Sequence, residues 1–293
     1  MKKRGCIVIL CVGKKKVGKT YTTIAALDKA VAGSNGVPPR RALIFDVNDE
    51  FSDFEYNGVR RRIKRLAIKD ISLFSVHPVI EIRRIAPFWD DNRRMTTSDM
   101  QEVLSIILEN YTAGILLVED LNKYVGDSIN SDLIGSLATA RHISLDIICH
   151  YQQISRAGNP KLLGNANFIR YHKTNDTVSR NEKKFEEKTE LLQLAENIVN
   201  YYYNIKSYEN EDYKRMYVWV DVDESKISCG NYQYTDEDVN RSIEEYLSDS
   251  RNRNALIKPL LNATDLVTGQ KKFTEQTAIL HVMKQLKRTY FEK

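Results

Sequence analysis

The chain has 293 residues, 42% of them hydrophobic and 28% charged, with 44 Lys and Arg against 39 Asp and Glu for a formal net charge of +5. That length and apolar share allow one large α/β domain with an appendage, or two modest domains, around a real core. No run approaches the roughly 18–20 consecutive apolar residues of a membrane span, so none is expected.

Residues 6–12 (CIVILCV) form a short, β-branched apolar run, the pattern of a buried parallel strand. The preceding MKKR resembles the start of a leader, but the run is short and passes directly into a glycine loop, so it is read as the first strand. Residues 13–20 read GKKKVGKT, a complete G-x-x-x-x-G-K-[ST] phosphate-binding loop. Residues 21–32 then place Ile24, Leu27 and Val31 on one face of a helix. Gly13 and Gly18 let the backbone wrap phosphate oxygens, and Lys14, Lys15, Lys16, Val17 and Tyr21 complete the binding segment. Lys19 reaches the β- and γ-phosphates and the Thr20 hydroxyl is a Mg²⁺ ligand. The expected cofactors are ATP and Mg²⁺.

A second strand is expected at 41–47 (RALIFDV), followed by an acidic turn containing Asp46 and Glu50. Residues 98–111 carry Met100, Val103, Ile106 and Ile107 at helical spacing behind a Ser/Asp cap. The third strand, 115–118, delivers Glu119 and Asp120 at its C-terminal end, the edge where parallel sheets bind ligands. A small-residue helix at 132–141 ends on Arg141, and a fourth strand at 145–149 leads into His150-Tyr-Gln-Gln153. A fifth strand is expected at 167–172. Repeated β-α units with continuous apolar strands imply a parallel sheet covered by helices on both faces.

Hydrolysis needs a metal-holding acid, a group that orients water and a sensor of the γ-phosphate. By position Glu119 holds Mg²⁺ and Asp120 positions water, though the order Glu-Asp leaves those roles interchangeable. Glu50, at the same sheet edge, is a third acid. A strand-end amide can bond both the γ-phosphate and the attacking water, and of Gln152 and Gln153 only one faces the site; Gln152 is favoured. Arg141 is the candidate arginine finger, ahead of Arg156 and Arg170.

Beyond residue 176 the pattern changes. A charged helical stretch at 182–203, an alternating strand at 214–222 with a possible partner at 226–229, and an amphipathic helix at 236–247 suggest a small α+β extension. Three segments are thus expected: residues 1–175 as an ATPase core, 176–250 as a helix-plus-hairpin extension, and 251–293 as a basic tail or docking helix. Positive charge clusters at Arg60-Arg-Arg-Ile-Lys-Arg65 and along the C-terminal segment, which suits a polyphosphate partner. Cys6, Cys11, Cys149 and Cys229 show no C-x-x-C spacing and read as thiols of a reducing cytoplasm.

Together, GKKKVGKT, ALIFDVNDEF, GILLVED, the Arg141 helix and IICHYQQ resemble the FtsK/HerA superfamily of P-loop ATPases, most closely small viral genome-packaging ATPases. The likeness spans about residues 5–172. It implies a P-loop sheet of order 5-1-4-3-2, of the additional-strand type, and a homo-oligomeric ring, hexamer or pentamer, with active sites between subunits. It also implies Arg141 or Arg156 acting on a neighbour's ATP, double-stranded DNA in a basic channel, and a capsid or portal partner in a host cytoplasm. Glu119-Asp120 reverses the family's acid order, and the loop is unusually rich in lysine. Alternatives are an assembly ATPase of the zonular-occludens-toxin-like type acting on protein, and a nucleotide-switched binding module. A nuclease-bearing terminase would have only Asp221, Asp223 and Glu224 to work with.

Overall fold

The computed structural model describes residues 6–34, 36–124, 144–158, 160–265 and 268–292. The chain divides into two compact units, Met1–Ile169 with Thr174–Asp176, and Arg170–Lys173 with Thr177–Lys293. The helix expected at 132–141, with Arg141, lies outside the described residues.

The first unit is an α/β sandwich. Its strands are β1 (Val8–Val12), β2 (Ala42–Phe45), β5 (Ile82–Ile85), β6 (Ile115–Val118), β7 (Asp146–Tyr151) and the start of β8 (Phe168–His172). A separate two-stranded hairpin consists of β3 (Phe54–Tyr56) and β4 (Val59–Arg61). Main helices are α1 (Lys19–Ala32), α2 (Ile71–Val76) and α3 (Thr97–Asn110), followed by the single turns α4 (Ile154–Ala157) and α5 (Pro160–Leu163). Strand order is β8-β1-β7-β6-β2-β5, which is the expected 5-1-4-3-2 with one further strand, β5, beyond the second. The sequence IRRI gives β5 no apolar run to announce it, and it forms by pairing with β2, Ala42 opposite Ile82. Residues 64–66 cover its outer edge, Leu66 donating to the Arg84 carbonyl at 2.8 Å and Arg84 to that of Lys64 at 3.1 Å.

Strands β2 and β6 are buried at every position, as strands covered on both faces must be. On one face Ile24 and Leu27 of α1 pack against Cys11, Ile44, Leu117 and Ile148. Thr96, not Ser98, caps α3: its hydroxyl accepts from Asp99 N while the Asp99 carboxylate accepts from Thr96 N.

The register decides where function can sit. Val12 pairs with Tyr151, Phe45 with Val118, and Val118 with Cys149, all in parallel. The strands therefore finish together. The residues that come after them, the 13–20 loop, Asp46–Glu50, Glu119–Asp120 and Gln152, emerge at one edge.

The second unit takes the rest of β8, then β9 (Tyr217–Asp221) and β10 (Lys226–Cys229), an antiparallel pair with Val220 opposite Ile227. Its helices are α6 (Thr189–Asn204), α7 (Asp236–Ser248), α8 (Ser250–Asn262) and α9 (Glu275–Tyr290). The stretch expected as one helix from 182 begins as two 3-10 turns, and α6 proper starts at Thr189. The segment 251–293, expected as a tail or docking arm, contains α8 and α9, which pack on each other and on α7. Helix α8 was hidden because it buries only Ile257 and carries Pro259. The hydroxyls of Tyr246 and Tyr290 both donate to Glu190 on α6, at 3.0 and 2.6 Å, which ties the helices together. Asp221 caps a plain turn, its carboxylate accepting from Glu224 N at 2.9 Å. Among the described residues no helix is long and apolar enough to cross a membrane.

Candidate active site

The phosphate loop is anchored at its first residue and at its one apolar side chain. Gly13 N donates to the Tyr151 carbonyl at 3.0 Å, and Val17 is buried beneath the loop. Lys16 (φ 66°) and Gly18 (φ 84°) take left-handed conformations that close the loop; Gly18 does so without the steric cost a side chain brings. No side chain caps α1, so its first-turn N–H groups face the loop's concavity, an anion site. The Lys19 ammonium bridges the loop, donating to the carbonyls of Gly13 and, at 2.9 Å, Lys14.

After β2 the acidic turn is built on Asp46. Its carboxylate, wholly buried, accepts from Glu50 N at 2.9 Å and Phe51 N at 3.0 Å, and from the Arg84 guanidinium at 3.1 Å. Arg84 also pairs with Asp49. Asp46 thus shapes the turn instead of facing the phosphates as its position at the sheet edge suggested. Burial raises its carboxyl above the usual range, against the opposing pull of those N–H groups and Arg84. Glu50 is the acid that the turn presents. Desolvation raises its carboxyl, helped by the negative charges of Glu119, Asp120 and Asp46 and opposed by Lys15.

Glu119 is 5% exposed and lies 3.1 Å from Nδ1 of His150. His150 Nε2 is in turn 2.8 Å from the Thr23 hydroxyl on α1. Burial alone depresses the imidazole, but Glu119 and Cys11 outweigh it and push the group up to about 9. Asp120 adopts a left-handed conformation (φ 41°, ψ 48°) and turns the other way. Its carboxylate accepts from Asn48 Nδ2 at 2.9 Å and from Gln152 Nε2 at 3.1 and 3.2 Å, and Asn48 accepts from Lys123 at 2.8 Å.

These groups line one cavity of about 390 Å³, bounded by residues 14–21 of the loop and helix and by Glu50, Glu119, Asp120 and Gln152. Gln153 is not among its walls and instead precedes α4. Arg156 is exposed on α4, while Arg170 is buried in the second unit with its guanidinium 5.7 Å from the Tyr217 ring centroid. Thr23, Asn48, Arg84 and His150 were not singled out from sequence. His150 alone left a signal, lying two residues before Gln152 and so on the same strand face.

Among the described residues no group of three or more His, Cys, Asp or Glu is placed to hold a metal by itself. Mg²⁺ does not require one, since it is held by one or two carboxylates together with phosphate oxygens and water. Thr20, Glu119 and Asp120 on one cavity fit that donor set.

No family model and no curated protein matches the chain. Among solved structures, the genome packaging NTPase B204 from Sulfolobus turreted icosahedral virus 2, in complex with ATP-gammaS, is 15% identical with a TM-score of 0.47, over 76% of this chain and 95% of that one. B204, the DNA-packaging ATPase from Sulfolobus turreted icosahedral virus, is 15% identical with a TM-score of 0.48, over 78% and 98%. The N-terminal domain of zonular occludens toxin from Neisseria meningitidis is 18% identical with a TM-score of 0.32, over 59% and 79%. The chain's own strand order and phosphate loop are those of an α/β P-loop NTPase, and its structural neighbours are a viral genome-packaging NTPase and a zonular occludens toxin domain.

Proposed function

We propose that this chain is an ATP hydrolase that translocates double-stranded DNA, in the setting of viral genome packaging. The observation that carries the reading is the single cavity onto which the phosphate loop, Glu50, Glu119, Asp120 and Gln152 converge. A mere phosphate binder needs only the first of these. ATP lies along Gly13 to Thr20, and Lys19 exchanges the loop carbonyls for the β- and γ-phosphates. Thr20 and Glu119 would hold Mg²⁺, which would supply charge neutralisation to the phosphates. Glu50 and Asp120 orient the attacking water, and Gln152 contacts the γ-phosphate and reports its loss. Arg141 of a neighbouring copy in a ring supplies the stabilising guanidinium. Arg60 and Arg62, side chains 76% and 72% exposed, share the one carboxylate of Asp53, which leaves net positive charge for a phosphate backbone.

The test is the ATPase rate with and without double-stranded DNA, alongside the mass of the assembly with a non-hydrolysable ATP analogue. Stimulation and a ring are expected. Hydrolysis by a monomer that ignores DNA overturns the translocase reading, and failure to bind ATP overturns the whole.

A further inference from the structure

A second cavity, of about 220 Å³, adjoins the phosphate cleft and shares Thr20, Tyr21 and Glu50 with it. Its other walls come from Ile24 on α1, from Phe51, and from Phe54, Glu55 and Tyr56 at the β3–β4 hairpin. The hairpin turns on Asn57 (φ 53°) and Gly58 (φ 74°), the left-handed pair of a two-residue turn. It is fastened to α1 immediately beyond the phosphate loop. The Arg61 guanidinium donates twice to Asp28, at 2.6 and 2.5 Å, and lies 5.8 Å from the Tyr56 ring centroid. The Tyr21 hydroxyl donates to Asn57, and the Tyr21 and Tyr56 rings lie 4.9 Å apart at 40°. Phe54 meets Phe51 edge-on at 5.5 Å. These rings are held in place by the protein's own packing, before any ligand arrives.

We propose that this cavity takes the nucleoside end of the triphosphate, with the base against the Tyr56 and Tyr21 rings and the ribose hydroxyls donating to Glu55, while Glu50 stands at the border with the phosphate cleft. The inference rests on the reading of residues 13–20 as the triphosphate site. A chain of phosphates ending near Thr20 must leave the loop beside Tyr21, where this cavity begins. Its chemistry suits a nucleoside. Aromatic faces accept a flat heteroaromatic ring, carboxylates accept from hydroxyls, and two carboxylates repel a further phosphate. At about 220 Å³ it is below the roughly 300 Å³ at which drug-sized pockets begin, a size for one flat group and not for a peptide. Stacking does not read base edges, so the site discriminates weakly among bases while strongly preferring a nucleotide over bare polyphosphate.

The experiment compares ATP, GTP and inorganic tripolyphosphate as competitors of a fluorescent ATP analogue, on wild type, Tyr56→Leu and Tyr56→Phe. Wild type is expected to bind ATP and GTP similarly and tripolyphosphate more weakly. Tyr56→Leu, which removes the ring and keeps apolar bulk, should weaken ATP about tenfold and leave tripolyphosphate unchanged; Tyr56→Phe should behave as wild type. Tripolyphosphate binding as tightly as ATP, an unchanged ATP affinity in Tyr56→Leu, or an equal loss for both ligands overturns the inference while the phosphate-loop reading stands. Unchanged ATP affinity with weakened self-association would assign the cavity to a cationic side chain of a second copy instead. Binding of no phosphate ligand by wild type would remove the phosphate-loop reading itself.

Discussion

Glu119 and Asp120 are adjacent, yet one carboxylate is buried against His150 and the other is held between Asn48 and Gln152. The turn into left-handed backbone at Asp120 separates them. Lys19→Ala removes the cation that spans the loop, and nucleotide binding or turnover should be lost in an equilibrium binding and ATPase assay, with the fold unchanged by circular dichroism. His150 should show itself in stability. Raised from 6.5 to about 9, its contribution is complete below pH 6.5 and is lost as pH climbs through 9. Urea unfolding of the nucleotide-free protein should therefore become easier across that interval. In His150→Gln that slope should flatten, with a cost of about 3–5 kcal/mol at neutral pH from leaving Glu119 buried without its cation. Equal slopes for both proteins would dismiss the ion pair.

At the scale of elements, the site depends on strands that end in register. GKKKVGKT and the apolar run before it made the first strand, loop and helix legible, because that local pattern has few other uses. The same was true of ILLV before Glu119 and of the strand before Gln152. The β3–β4 hairpin and β5 were not legible, since half of their residues are charged and no apolar run announces them; β5 depends besides on pairing with β2, forty residues back. Nor was the role of Asp46, which sequence placed in an acidic turn: its carboxylate is held by Arg84, 38 residues away. The hairpin offers a clean test. An alanine side chain at Gly58 meets nothing within 4 Å, so Gly58→Ala reports only the strain of φ 74°. A loss of roughly 1–2 kcal/mol in unfolding free energy is expected. If the hairpin shapes the nucleoside cavity, ATP affinity should fall with it while tripolyphosphate binding stays constant.

For the whole molecule, the division between the two compact units falls within residues 169–177. The final forty residues belong to the second unit's helical packing, with Ala278, Val282 and Leu286 of α9 buried. Deleting residues 275–292 should therefore lower thermal stability and expose apolar surface to a reporter dye; a free docking arm would leave both unchanged. The proposed ring is tested through Arg141. Arg141→Ala should bind ATP normally and hydrolyse none, and mixing it with Lys19→Ala should restore part of the rate if one subunit completes another's site. Full activity of Arg141→Ala alone would end that assignment.

The phosphate loop, the apolar strands and the candidate acids and glutamine can be read from the chain alone. Each is written in a few consecutive residues, where backbone freedom, apolar periodicity and side-chain chemistry are local properties. Which carboxylate faces the cleft, which one shapes a turn, and the aromatic hairpin beside the phosphate loop emerge only from the fold in three dimensions. Those outcomes depend on side chains brought together across the sheet, His150 against Glu119, Arg84 against Asp46 and Tyr56 against Tyr21. Burial and charge act through space, and no spacing along the chain encodes them.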